Sequence, residues 1–197
     1  MEFDRILQER RSTRKFKPKD IAWEAVADIL DAARYAPSSG NMQNWAFIVV
    51  KDKDSKKKVS NSSKQSWLAD APVLIVVCSK LDKIKELYGA RGEALYSIQN
   101  CAAAAENMLL KAADLKIDSC WVSSFDENII RKEFRLDDDV RPQAVLAFGY
   151  GDEFEKEFKR YPLENFVFFE SWGNKKRDYT IWPLSKYANN ISNKLKK

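Results

Sequence analysis

Six consecutive apolar residues, Val73–Cys78, place the strongest limit on how this chain can fold. The run is rich in Val and Ile, and no charged residue occurs between Asp70, which precedes it, and Lys80, which follows it. A strand of this composition is buried on both faces, because none of its positions suits solvent. The sheet that contains it must therefore be covered on both sides.

Helices and strands alternate along the rest of the sequence. Periodicity predicts helices at Phe3–Arg10, Asp20–Ala36, Lys56–Ala69, Glu93–Leu115 and Asp126–Phe134, and strands at Ala46–Val50, Cys120–Val122 and Ala144–Phe148. Asp20 and Asp126 are the predicted N-caps, and Pro37 ends the second helix. The longest helix is apolar on more than one side, so we expect it to pack centrally, against the sheet or a partner subunit. The alternation predicts a three-layer sandwich, and by itself it favours a parallel sheet.

Length and charge favour one globular domain over a nucleic-acid-binding or membrane protein. The 197 residues fit a single domain spanning 1–197. The net charge is +5, but the basic residues are spread over several segments, which is typical of solvated faces. No apolar stretch is long enough and free enough of charge to cross a bilayer. We therefore expect no nucleic-acid partner and no membrane partner.

The inventory of histidine and cysteine excludes several chemistries. There is no histidine, so a Ser-His-Asp triad is excluded and a catalytic zinc site is not expected. The three cysteines, Cys78, Cys101 and Cys120, lie in apolar runs without a CxxC spacing. This pattern indicates buried, reduced thiols in a cytoplasmic protein. Neither GxGxxG nor GxxxxGK[ST] occurs, so phosphate binding would have to come from side chains.

A basic segment, Arg10–Phe16, is the first candidate binding element. It interleaves four cations with two hydroxyl side chains. Arginine offers a planar fork of donors that matches phosphate oxygens, and a hydroxyl adds a neutral donor. By itself the segment is more typical of an exposed basic loop that binds nothing.

Two further segments contain polar groups at the ends of predicted elements. Ala36–Trp45 joins a helix to a strand and is rich in small residues and carboxamides, which suit the alternating donors and acceptors of a heterocycle edge. Trp121–Asp126 joins a strand to a helix start, where backbone N–H groups can donate to a ligand. Each is also an ordinary connection by composition.

Five segments together resemble the FMN-dependent nitroreductases. They read RRSTRKF, AARYAPSSGNMQNWAFIVV, YSIQNCAAAAENMLLKAADL, CWVSSFDENIIRKEF and AVLAFGYGDEF, and they follow in order from about Arg10 to about Glu170. The resemblance implies an α+β three-layer sandwich with a mixed, largely antiparallel sheet flanked by helices, in place of a parallel one. It also implies an intertwined homodimer in which a C-terminal extension, residues 175–197, packs on the partner subunit.

The resemblance also implies roles for individual residues, all of them as contacts to FMN. Arg10 and Ser12, with Arg11 beside them, match phosphate contacts, and Arg14 matches a cation near the pyrimidine end of the ring. The other matched positions are a loop contacting flavin from the other subunit (Pro37, Ser38, Ser39 and Asn41, followed by Gln43), the backbone near flavin N5 (Ser123 and Ser124), and a late phosphate contact (Arg160). No side chain is assigned a catalytic role, since flavin N5 carries the chemistry, and no metal is implied.

The sequence departs from the family pattern at three of these places. Asn44 stands where the family often has proline, Ser124 where it often has glycine, and Gly151 where it usually has proline. A Cβ at Ser124 could narrow the face of the flavin that is open to substrate. The mid-chain flavin contact is left open among Asn61, Lys64 and Gln65.

The implied activity is reduction of nitroaromatic, quinone or related acceptors by NAD(P)H, with ping-pong hydride transfer through the flavin. Two other classes are compatible with the sequence. One is a flavoprotein of the same fold with another reaction, such as dehalogenation, azoline oxidation or flavin cleavage. The other is a non-enzymatic protein that carries flavin or binds nucleic acid.

Overall fold

A computed structural model of the protein describes residues 2–152 and 160–176. The chain divides into two compact units, Met1–Glu155 and Lys156–Lys197. The predicted terminal extension, residues 175–197, lies almost wholly outside the described residues.

The first unit consists of six α-helices and four strands among its described residues. The helices are α1 Phe3–Glu9, α2 Trp23–Ala33, α3 Lys53–Ser63, α4 Asp82–Arg91, α5 Ser97–Asp114 and α6 Glu127–Phe134. The strands are β1 Trp45–Val50, β2 Val73–Lys80, β3 Asp118–Val122 and β4 Val140–Gly149. Short 3-10 turns form at Ser39–Asn41 and Ser66–Asp70, and a π-helical turn at Gly92–Tyr96 joins α4 to α5.

The four strands form one sheet in the order β1-β2-β4-β3, and all three pairings are antiparallel. The parallel sheet favoured by the alternation is wrong, and the largely antiparallel sheet implied by the resemblance is confirmed, with every pairing between the four strands antiparallel. Alternation fixes the layers but not strand direction, because a connection that contains a helix can return the chain to either end of the sheet. The apolar run Val73–Cys78 lies in β2, which has a neighbour on each side and is buried up to Ser79.

Side chains of the sheet divide between two cores by strict alternation. Val73, Ile75 and Val77 face a core that includes residues of α2 and α5. Leu74, Val76 and Cys78 face a second core that includes residues of α3 and α6. Helices thus cover both faces of the sheet, and the predicted three-layer arrangement is confirmed. Each fully buried aliphatic side chain in these cores contributes about 1.5–3 kcal/mol to stability relative to exposure.

Several predicted helix boundaries are wrong. Helix α2 begins at Trp23 after Ala22, which makes no side-chain cap, so Asp20 is not its N-cap. The reason is that Ile21, with 2% of its surface exposed, already lies in the first core before the helix begins. Helix α3 begins earlier than predicted because Asp52 accepts hydrogen bonds from the N–H groups of Asp54 and Ser55.

The long helix predicted at Glu93–Leu115 is also shorter than expected, since its first turn is π-helical and α5 proper begins at Ser97. Helix α4 was not predicted. The predicted N-cap Asp126 is confirmed, because its side chain accepts from the N–H groups of Asn128 and Ile129. All three cysteines are buried thiols outside disulfides, also as predicted.

In the described part of the second unit, a 3-10 turn forms at Leu163–Asn165, and the rings of Phe168 and Trp172 lie 4.5 Å apart. Across the described ranges, no helix combines the length and the apolar character needed to cross a bilayer.

Candidate functional site

The basic segment Arg10–Phe16 is attached to one end of the sheet by backbone hydrogen bonds. The N–H of Thr13 donates to the carbonyl of Ser119 in β3 at 2.9 Å, and Ser12 forms a parallel bridge with Ser119. Phe16 pairs with Gly151, just beyond β4. The sheet therefore holds this segment extended where β3 begins and β4 ends.

A cavity of about 640 Å³ opens beside this segment, in the first unit. Its cationic lining consists of Arg5, Arg10, Arg11, Lys17 and Lys116, and its acidic lining of Glu9, Asp118 and Asp152. Each acid already has a protein partner. Glu9 pairs with Arg5 at 2.6 Å, Asp118 accepts from the N–H of Gly151 at 2.7 Å, and Asp152 lies 3.7 Å from Lys15. The surplus charge around the cavity is positive.

One buried hydroxyl in the cavity lining has an unmet hydrogen-bonding capacity. Ser119 is 1% exposed, and its Oγ has no partner among the described residues. A buried polar group without a partner costs free energy that a ligand oxygen can recover. An orphaned hydroxyl and a cationic lining together fit an anionic oxygen-rich group such as a phosphate.

The four basic-segment residues predicted to contact FMN do not all face this cavity. Arg10 and Arg11 line it, and Arg11 also donates through Nη1 to the carbonyls of Gln8 and Arg10. Ser12 is half-buried and Arg14 is exposed, and neither belongs to the lining. Alternation along the extended segment separates Arg11 and Thr13, which line the cavity, from Ser12 and Arg14, which do not. Arg10 also lines the cavity, but it is the C-cap residue of α1 and precedes the extended stretch.

The loop from Pro37 to Gln43 is tied together by its own polar groups. The N–H of Gln43 donates to Ser38 Oγ at 3.0 Å, and Gln43 Nε2 donates to Asn41 Oδ1 at 3.0 Å. Gly40, Asn41 and Gln43 all have positive φ, at 56°, 55° and 46°. Pro37, Asn41 and Gln43 are exposed, while Ser38 and Ser39 are half-buried. The loop thus presents carboxamides to solvent from a tightly curved backbone.

Glycine at position 40 is favoured by two separate features. Its backbone occupies the left-handed region, which residues with a Cβ rarely adopt. A Cβ placed there would also meet the hydroxyl of Tyr88 in α4. The Tyr88 ring in turn packs edge-on against Tyr96, with ring centroids 5.2 Å apart. An aromatic pair therefore backs the loop.

The junction between β3 and α6 carries Ser123 and Ser124, both of which are exposed. Ser123 Oγ accepts a hydrogen bond from Trp121 Nε1 at 2.7 Å. The N–H of Asp126 donates to the carbonyl of Ser62 at 2.9 Å, which holds the C-terminal end of α3 against the junction. Asn61, Lys64 and Gln65 surround this end of α3, so all three candidates for the mid-chain contact lie near the junction.

The sheet keeps the basic segment and the loop Pro37–Gln43 far apart within one chain. The loop leads into Trp45 on edge strand β1, and Trp45 pairs with Ser79 on β2. The basic segment joins Ser119 on β3, the opposite edge strand. Arg141, opposite Ser79, and Phe148, opposite Ser119, are seven residues apart on β4. At about 3.3 Å per residue and about 4.8 Å per strand, the two groups are separated by roughly 25 Å.

Arg160 lies in the second unit and is exposed. Ser119, Lys116 and Asn100 were not among the residues predicted from sequence. The available signal for Asn100 was a carboxamide among the alanines and other apolar residues of a core helix. For Ser119 the signal was weaker, since a serine in a short strand has no distinctive spacing.

Comparison with known proteins agrees with this fold. The sequence profile of the nitroreductase family matches residues 7–69 and 60–150. A protein of Archaeoglobus fulgidus, provisionally named NADH dehydrogenase/NAD(P)H nitroreductase, is 34% identical over 159 residues, which are 78% of this chain and 87% of its own. The chain belongs to the nitroreductase family.

Two solved structures from Clostridium difficile are similar across most of their length. One, a nitroreductase family protein from strain 630, has a TM-score of 0.75 and 30% identity, with 87% of this chain and 99% of the other covered. The other, an FMN-dependent nitroreductase from strain R20291, has a TM-score of 0.73 and 28% identity, with 85% and 98% covered.

Proposed function

We propose that this nitroreductase-family oxidoreductase binds FMN and uses NAD(P)H to reduce nitroaromatic, quinone or related acceptors. The cationic cavity beside Arg10–Phe16, with the orphaned hydroxyl of Ser119, is the observation that carries the proposal. Its lining suits a phosphate dianion, and the similar R20291 protein is FMN-dependent. The names of similar proteins also support NAD(P)H as the reductant.

At the phosphate end, Arg10, Arg11 and Ser12 would bind the dianion. Arginine guanidinium groups form charge-assisted, bidentate hydrogen bonds to phosphate, stronger than those between neutral groups. Ser119 Oγ, which has no hydrogen-bond partner among the described residues, would donate to a phosphate oxygen.

At the ring end, Arg14 would place a positive charge near the pyrimidine, where negative charge develops on reduction. Pro37, Ser38, Ser39, Asn41 and Gln43 would contact the ring through their loop, and Ser123 and Ser124 would present backbone near N5. When bound, FMN supplies the hydride-accepting chemistry that connects NAD(P)H to the acceptor. Both substrates would use the same open face in turn, which predicts ping-pong kinetics.

The proposed active form is a homodimer, because the two halves of the site cannot meet in one chain. Roughly 25 Å separate the basic segment from the loop of the same chain. A flavin held by the basic segment would therefore contact the loop of a second subunit. Apolar side chains exposed on the first unit offer an interface (Phe3, Leu7, Trp23, Tyr35 and Ile98). The chain would act as one FMN-binding domain in the cytoplasm.

The experiment that tests this proposal is a visible spectrum of the purified protein, followed by identification of the cofactor released on denaturation. We expect a yellow protein that releases FMN, close to one per subunit, and sediments as a dimer. Oxidation of NADH or NADPH should then require an added acceptor, with parallel lines in double-reciprocal plots. A colourless protein that also fails to bind added FMN would contradict the proposal.

A further inference from the structure

Two buried carboxamides, Asn44 and Asn100, connect the loop Pro37–Gln43 to the core of the first unit. Asn100 lies in α5 and is 3% exposed, and Asn44 directly precedes β1 and is 5% exposed. Asn100 Nδ2 donates to Asn44 Oδ1 at 2.8 Å. The side chain of Asn100 thus connects α5 with the residue that joins the loop to β1.

On the loop side, Asn100 holds Ser39 by two hydrogen bonds. Asn100 Oδ1 accepts from the backbone N–H of Ser39 at 3.0 Å and from Ser39 Oγ at 3.3 Å. Ser39 is the first residue of the 3-10 turn in which the loop changes direction. Its position therefore sets where the following exposed residues of the loop point.

On the sheet side, Asn44 is fixed to the end of β2. Asn44 Nδ2 donates to the carbonyl of Lys80 at 3.3 Å, and the N–H of Lys80 donates to the carbonyl of Asn44 at 2.7 Å. Since Asn44 uses its amide nitrogen for Lys80, its amide oxygen must face Asn100. The orientation of Asn44 thus determines that Asn100 turns its own oxygen toward Ser39.

We propose that Asn100 is a positioning residue for the flavin-contacting loop, and that Asn44 sets its orientation. This inference rests on the proposed function, because the loop has a ligand to contact only if FMN binds. A proline at position 44 has no side-chain oxygen to accept from Asn100, so the arrangement belongs to this chain's own asparagine. Neither amide touches the cofactor in this scheme. Both act by holding Ser39 and the left-handed residues that follow it.

The test compares Asn100→Ala with Asn107→Ala. Asn107 is on the same helix, and its Nδ2 donates to the carbonyl of Ala32 in α2 at 3.2 Å, not to a residue of the loop. Both variants lose a side-chain hydrogen bond between α5 and another element. Only Asn100→Ala should increase the dissociation constant of FMN, by about tenfold or more, since it leaves buried partners unsatisfied.

A second readout needs no cofactor. In the FMN-free protein, hydrogen exchange of the Ser39 amide should be faster in Asn100→Ala than in the wild type, and unchanged in Asn107→Ala. Unchanged exchange at Ser39 in Asn100→Ala would overturn the positioning role even if FMN binds normally to the wild type. Failure of the wild type to bind FMN would instead overturn the proposed function.

Asn44→Ala provides the second variant, in case Asn100→Ala does not fold. We expect a smaller increase in the FMN dissociation constant. In this variant Asn100 Oδ1 can still accept from Ser39, but Asn100 Nδ2 loses Asn44 Oδ1, the partner that orients the amide. The double variant should bind FMN no more weakly than Asn100→Ala alone, since the two amides act as one unit. If the increase in the FMN dissociation constant in the double variant equals the product of the increases in the two single variants, the proposal is contradicted.

Discussion

At the residue scale, Ser119 and Ser62 are both buried serines with opposite hydrogen-bonding states. Ser62 Oγ donates to the carbonyl of Val59 at 2.7 Å, whereas Ser119 Oγ has no partner in the described chain. Residues that leave a polar group unsatisfied are expected at sites where function outweighs stability. The pair therefore contrasts a hydroxyl that is satisfied within the protein with one that is available for the phosphate contact proposed above.

Replacing these two serines with alanine should have different effects on the free energy of unfolding. Ser119→Ala removes a buried unsatisfied group, so the FMN-free protein should be unchanged or more stable by up to about 1 kcal/mol. Ser62→Ala should lose about 1 kcal/mol. FMN affinity should fall only in Ser119→Ala. Denaturant unfolding and flavin fluorescence titration measure the two quantities, and a destabilised Ser119→Ala with normal affinity would refute the assignment.

The buried thiols Cys78 and Cys101 should be inert at neutral pH. Burial raises the pKa of Cys78 to about 12 and that of Cys101 to about 12, from 9.0. The thiolate is the reactive form, so neither should react with a thiol reagent at pH 8 until the protein unfolds. Rapid native labelling of either cysteine, located by mass spectrometry, would contradict this.

The same thiols make stability depend on pH in a defined direction. Between pH 9 and about 12 the unfolded thiols ionise while the folded ones keep their protons. The folded state then binds more protons, so their contribution is complete below pH 9 and is lost as pH rises above it. Cys101→Ala should accordingly show a shallower decline in unfolding free energy above pH 9 than the wild type.

At the scale of elements, strands and caps with strong local signals were predictable. The run Val73–Cys78 lies in the central strand, and Asp126 caps α6 as expected. The start of α2 was not predictable from local signals, because Ile21 is drawn into the core before the helix begins. Tertiary burial overrode the capping preference of Asp20.

Loss of the α6 cap should be measurable without loss of the fold. Asp126→Ala removes the acceptor for the N–H groups of Asn128 and Ile129, which should cost about 1 kcal/mol. Asp126→Asn keeps an acceptor oxygen and should retain most of that stability. Urea unfolding of the two variants checks this, and equal losses would mean that charge, not capping, is the contribution.

At the scale of the whole molecule, the two halves of the proposed site occupy opposite corners of the sheet. A shared dimer site makes a prediction about mixed dimers. Arg10→Ala impairs the phosphate end, and Gly40→Ala impairs the loop, since φ is 56° there and a Cβ would meet Tyr88. A dimer with one copy of each variant should recover one site built entirely from unaltered residues.

Co-expression of the two variants with different tags would supply such mixed dimers. We expect about one tightly bound FMN per mixed dimer, and weaker binding in either variant homodimer. If each chain formed its own site, every site in the mixed dimer would carry one defect. Mixed dimers with no tight site would therefore exclude the shared arrangement.

The layers, the central strand, the α6 cap and the family were predictable from sequence, because they follow from periodicity, local capping chemistry and ordered motifs. Strand direction was not, since a connection that contains a helix permits either return and only the folded chain distinguishes the two. The tertiary structure also placed the orphaned Ser119 beside the basic segment and joined Asn100 to Asn44 across 56 residues. Such contacts depend on which residues the fold brings together, and no local pattern encodes them.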